Sequence, residues 1–126
     1  MRRSPVAFLA PLAFYVGCGI LGPGDCVAIG RFALSVIVQD SASRQAPAAE
    51  LRVIASDGAY ADTATIGSPH SSGIAFWLAP ERTGSYLLTV QATGYREWSK
   101  QGVGVTRSTD KCDYLRTVTI LARLQR

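Results

Sequence analysis

The chain is poor in the side chains that acid–base, metal and redox chemistry require. It has one histidine, His70, three cysteines and one methionine, and only 17% of its 126 residues are charged. A general base needs a nucleophile and an orienting partner within hydrogen-bond reach, and nothing near His70 in the sequence supplies them. His70 therefore reads as solvated, and Ser68, Ser71 and Ser72 beside it as turn residues. No Cys-x-x-Cys or His-x-x-Glu pattern occurs, which argues against a dithiol or zinc centre of ordinary spacing. Asp57, Asp62, Asp110 and Asp113 match no calcium loop and read as solvated turn carboxylates. Basic runs with interleaved aromatics are also missing, so a formal charge of +4 describes an ordinary surface rather than a nucleic-acid footprint. A non-enzymatic protein without a cofactor is the expectation.

Apolar runs of about 20 residues, the length a membrane-spanning helix needs, are missing too. What stands at the start is shorter. Met1-Arg2-Arg3 precedes an apolar run from Pro5 to Val16 that ends in small residues, the build of a secretory signal. Val16-Gly17-Cys18 at its end resembles a bacterial lipobox, with Tyr15 in place of the customary Leu. The resemblance implies residues 1–17 as a lipoprotein signal peptide and Cys18 as the lipidated first residue, with residues 18–30 as a glycine-rich tether. It also implies a membrane partner through the acyl chains, each buried methylene contributing about 0.8 kcal/mol. Gly19 after Cys18 points to the outer membrane of the cell envelope; a plain cleaved signal, with a secreted or periplasmic product, is the alternative. With Cys18 lipidated, Cys26 and Cys112 form an even pair in an oxidising compartment, and a disulfide between them is expected.

From Arg31 onward the pattern has a period of two. Leu34, Val36 and Val38 alternate with Ser35, Ile37 and Gln39; Leu51, Val53 and Ala55 alternate with Arg52 and Ile54; Ile74, Phe76 and Leu78 alternate with Ala75 and Trp77. Val118, Ile120, Ala122 and Leu124 form a long closing strand, and Tyr60 to Ile66 and Val103 to Val105 are weaker candidates. Thr83 to Trp98 is the central stretch: Tyr86, Leu88 and Val90 lie on one face of a strand between bends at Gly84 and Gly94. Strands recurring about every ten residues, joined by Gly, Pro, Ser and Asp, predict an all-β sandwich.

Gly84-x-Tyr86-x-Leu88-x-Val90 followed by Gly94-Tyr95 resembles the carboxypeptidase regulatory-like domain, a transthyretin-like or prealbumin-like β-sandwich. Gly73-Ile74-Ala75-Phe76-Trp77-Leu78 resembles the preceding strand of that family, and Val36 to Asp40 with Pro47 its first strand and following turn. The resemblance covers Arg31 to Leu124 and implies a seven-strand, Ig-like antiparallel sandwich over residues 31–126. It resembles an accessory domain without the catalytic one, so the expected role is an interaction module whose partner is an envelope protein or glycan. Trp77 is out of phase with its core neighbours and should face outward, and Tyr95 and Trp98 lie near a sandwich end. Trp77, Tyr95 and Trp98 are the candidate binding residues. The alternative is a carbohydrate-binding module with Trp77 and Trp98 as stacking platforms.

Overall fold

A computed structural model describes residues 30–109 and 112–126. Residues 1–29, which hold Cys18, Cys26, the signal segment and all of the tether but Gly30, lie outside the described residues, as does Asp110. Among the described residues there are eight strands and no helix: β1 (Phe32–Asp40), β2 (Leu51–Asp57), β3 (Tyr60–Ala64), β4 (Ser68–His70), β5 (Gly73–Pro80), β6 (Gly84–Ala92), β7 (Trp98–Val105) and β8 (Val118–Leu124). They form two four-stranded sheets, ordered β4-β5-β1-β8 and β3-β2-β6-β7. Gly30–Ser108 and Tyr114–Arg126 make up this sandwich.

The alternation in the sequence explains the layers. Leu34, Val36 and Val38 on β1 and Phe76 and Leu78 on β5 face Val53 and Ala55 on β2 and Tyr86, Leu88 and Val90 on β6, and all are buried in one cluster. Ala122 and Leu124 of β8 complete it. The out-of-phase residues point the other way: Trp77 sits opposite Ser35 in the β1–β5 register and is 43% exposed.

Three features depart from the sequence expectations, and the sheet assignment of β1 and β2 adds a fourth that the sequence did not address. There are eight strands rather than seven, because Ser68-Pro69-His70, which composition assigns to a turn, pairs with Gly73 to Ala75 as a short edge. The sandwich is not wholly antiparallel: β1 and β8 run parallel from Leu34↔Val118 to Asp40↔Leu124. β1 and β2 do not pair, so the Asp40 to Glu50 connection carries the chain from one sheet to the other. β7 begins at Trp98, well before Val103. Its alternation is broken by a bulge, since Tyr86↔Val103 and Leu88↔Lys100 leave one extra residue on β7, where Gly102 takes φ 68°. A glycine in the left-handed region is the residue such a bulge favours.

Candidate functional site

Three aromatic and charged clusters position the surface, and each joins residues distant in sequence. The first holds the entry to β6. Tyr86 is 1% exposed, and its hydroxyl donates to the Arg82 carbonyl at 2.7 Å, four residues upstream. This is the tyrosine-corner arrangement in kind: a buried ring whose hydroxyl ties the preceding turn. Arg82 returns across the same residues. Its guanidinium donates to Tyr86 Oη at 3.2 Å and to Asp57 Oδ2 at 3.1 Å, and lies 4.0 Å from the Tyr60 ring centroid. The Tyr86 hydroxyl and the Asp57 carboxylate hold the guanidinium in its charged form, against the opposing effect of burial. Burial raises the Tyr60 hydroxyl above its ordinary value, and the nearby Asp62 charge adds to it. Asp62 in turn accepts the Ala79 N–H at 2.8 Å, joining β3 to β5. Asp57 and Asp62 therefore have structural hydrogen bonds, where the sequence suggested solvated carboxylates.

The second cluster is at the other end of β1. Asp40 Oδ1 accepts the N–H groups of Ala42 and Ser43 at 2.8 and 3.0 Å, while Oδ2 accepts the Tyr95 hydroxyl at 2.5 Å. Arg126 lies over the Tyr95 ring at 4.8 Å and places Nε 3.8 Å from Asp40 Oδ2. The Tyr95 hydroxyl first, then the two N–H groups, lower the Asp40 carboxyl to about 2; burial opposes them and Arg126 assists. The same bond to Asp40 raises the Tyr95 hydroxyl above its usual value. Tyr95 thus braces β1, the β6–β7 turn and the chain end.

The third cluster closes the start of β1. The Arg31 N–H donates to a Glu81 carboxylate oxygen, Glu81 N–H donates to the Arg31 carbonyl at 2.8 Å, and Arg31 lies 4.7 Å from the Tyr114 ring centroid.

Beside these braced ends the sandwich opens into a cleft of about 790 Å³ where β2 begins and β6 finishes. Leu51, Ala92, Ile74 and Phe76 supply apolar lining from both sheets; Glu50, Arg52, Gln91 and Thr93 supply polar groups. The cleft is open to solvent and more polar than apolar, because Phe76 and Leu51 are themselves buried and offer it little surface. Neither the cleft nor its polar groups were distinguished in the sequence, where they stand as ordinary strand ends.

The candidate binding residues do not form one surface. Trp77 faces outward from β5 in one sheet. Trp98, opposite Val90 in the other sheet, is half-buried and packs against the core. Tyr95 is half-buried and bonded to Asp40. His70 is exposed, with Nδ1 accepting the Ser72 N–H at 3.0 Å. Glu97 accepts from Gln91 Nε2 at 2.8 Å, so its hydrogen bond runs to β6. Among the described residues no three His, Cys, Asp or Glu side chains converge on a common point. Cys112 is disulfide-bonded, and the chain's other cysteines, Cys18 and Cys26, lie outside the described residues. Comparison with protein-family models, curated proteins and solved structures returns no match to this chain.

Proposed function

We propose that this chain is a non-catalytic interaction module of the cell envelope, a β-sandwich of the carboxypeptidase regulatory-like type carried on a lipid anchor at Cys18. The carrying observation is the two-part build of the chain: a basic start, an apolar run and Val16-Gly17-Cys18, followed from Phe32 by an all-β domain. The pairing of Cys26 with Cys112 belongs to the same reading. Closing a loop of that length constrains the unfolded chain by roughly 4 to 5 kcal/mol in the chain-entropy account. Recognition is assigned to the open cleft between the strand ends, where Glu50, Arg52, Gln91 and Thr93 offer polar groups to a side chain of a partner protein. The glycan reading keeps Trp77 as an exposed ring, while Trp98 lies in the opposite sheet.

The test is the intact mass of protein extracted from its native membrane fraction, with and without reductant before alkylation. The expected species begins at Cys18, carries acyl chains and exposes two alkylatable thiols only after reduction. A mass without lipid, or thiols that alkylate without reductant, would overturn the anchored, disulfide-closed reading.

A further inference from the structure

The outward face of the β4-β5-β1-β8 sheet joins an apolar band to a basic rim. Register sets Trp77 of β5, Ser35 and Ile37 of β1, and Thr119 and Leu121 of β8 side by side on it. Trp77 and Leu121 are exposed and Ile37 is half-buried. The four strands together contain one carboxylate, Asp40, at the end of β1. Its oxygens are already taken by Tyr95, Ala42 and Ser43.

Three arginines gather where β1 and β8 finish. Arg123 stands in register beside Gln39, whose Nε2 donates to the Ser72 carbonyl at 2.8 Å and to the Arg44 carbonyl at 3.5 Å. The turn at residues 41–44 therefore folds back along this end of the sheet and brings Arg44 to it. Arg126 lies over Tyr95 beside it. All three are exposed, and among the described residues only Arg126 has a carboxylate within 4 Å, Asp40 at 3.8 Å. Tryptophan favours the boundary between lipid headgroups and acyl chains, and an arginine stem lies along apolar surface while its guanidinium meets phosphate. The excess of positive charge selects an anionic bilayer, each basic residue near such a surface strengthening binding about fivefold.

We propose that this face docks on an anionic phospholipid bilayer, with Trp77, Ile37 and Leu121 at the acyl boundary and Arg44, Arg123 and Arg126 against headgroup phosphates. The proposal takes its bilayer from the anchored reading above. Phe32 is fourteen residues on from Cys18, so an acylated Cys18 holds β1 within about 50 Å of the membrane.

The test uses the full chain as W98F, in which Trp77 is the single tryptophan, with vesicles whose acyl chains carry bromine. In phosphatidylcholine containing phosphatidylglycerol, Trp77 emission is expected to be quenched and shifted to the blue. In phosphatidylcholine alone, or in high salt, the quenching should fall away. L121D, at an exposed position, is expected to abolish the quenching with its melting temperature retained; R44Q and R123Q should each weaken binding about fivefold. C18S separates this contact from the anchor: the unacylated chain should still sediment with anionic vesicles and C18S/L121D should not, whether or not the wild type proves to be acylated. Trp77 emission indifferent to brominated anionic lipid, or quenched equally by neutral vesicles, would overturn the proposal. So would a C18S chain that stays in solution, or one that sediments equally with and without L121D.

Discussion

Replacing Tyr86 with Phe isolates one hydrogen-bonding oxygen in an otherwise unchanged core. The ring is retained, and with it the edge-on contact to Tyr60 at 6.5 Å and 70°. The bond to the Arg82 carbonyl at 2.7 Å is lost, and so is the acceptor for the Arg82 guanidinium. The guanidinium keeps Asp57 and the Tyr60 ring, so its loss is small; the pair with Asp57 is about one-third exposed and contributes little. The carbonyl at the turn is the costlier member, since an acceptor left without a partner costs about 1–3 kcal/mol when shielded from water, and this one is part-buried. In a domain of this size each kcal/mol moves the melting temperature by roughly 4–8 °C, so Y86F should melt about 5–20 °C lower. Circular dichroism melts of wild type, Y86F and Arg82→Met measure it. R82M leaves the tyrosine-to-carbonyl bond in place and should cost less than Y86F. A Y86F melt within a degree of wild type, or an R82M loss larger than that of Y86F, would refute the assignment of the turn's stability to the tyrosine oxygen.

Acid should weaken the Asp40 cluster in a defined window. Its carboxyl sits at about 2 in the folded chain against an ordinary 3.8, so the unfolded chain binds more protons between those values. The stabilisation is fully present above pH 3.8 and is lost as the pH falls through 2. Tyr95→Phe removes the largest cause, so the difference in urea midpoint between wild type and Y95F should shrink from pH 5 to pH 2.5; a constant difference would contradict the account. Two glycines with positive φ separate conformational strain from steric collision. A Cβ on Gly94, at φ 85°, meets nothing within 4 Å, so Gly94→Ala should cost about 1–2 kcal/mol from the left-handed backbone alone. On Gly73, a Cβ would stand 2.1 Å from the Val38 carbonyl oxygen of the neighbouring strand, so Gly73→Ala should prevent β5 from docking and largely abolish folding. Equal losses in denaturant unfolding would show that the Gly73 contact relaxes.

Periodicity exposed the interior because it is a local property. Leu34 to Val38, Leu51 to Ala55 and Tyr86 to Val90 each place alternate residues on a core face, and Trp77 was assigned outward from phase alone. β4 was hidden because Ser, Pro and His have turn-like composition, yet three residues suffice to cover the edge of β5. The start of β7 was hidden because Ser99 to Gly102 are polar and exposed and the Gly102 bulge shifts the phase before Val103. The clusters were illegible for a different reason. Tyr95 lies 55 residues from Asp40, and Arg82 lies 25 from Asp57. No spacing rule links such positions; they meet through sheet order, which the alternation leaves open. Gln39 shows the same limit. It reads as a solvent-facing strand position, but it is 4% exposed, donating from Nε2 to the Ser72 carbonyl at 2.8 Å.

The parallel ladder between β1 and β8 has a consequence for how the chain acquires its structure in time. Thr117, at the threshold of β8, donates to the Phe32 carbonyl across 85 residues, so the first strand finds its permanent neighbour only when nearly all of the sequence has been synthesised. Until then β1 can associate with β5, but its other side has no mate. Long-range pairing of this sort places a fold toward the slow, millisecond-to-second end of the range for small domains. A truncation before Val118 would leave β1 waiting.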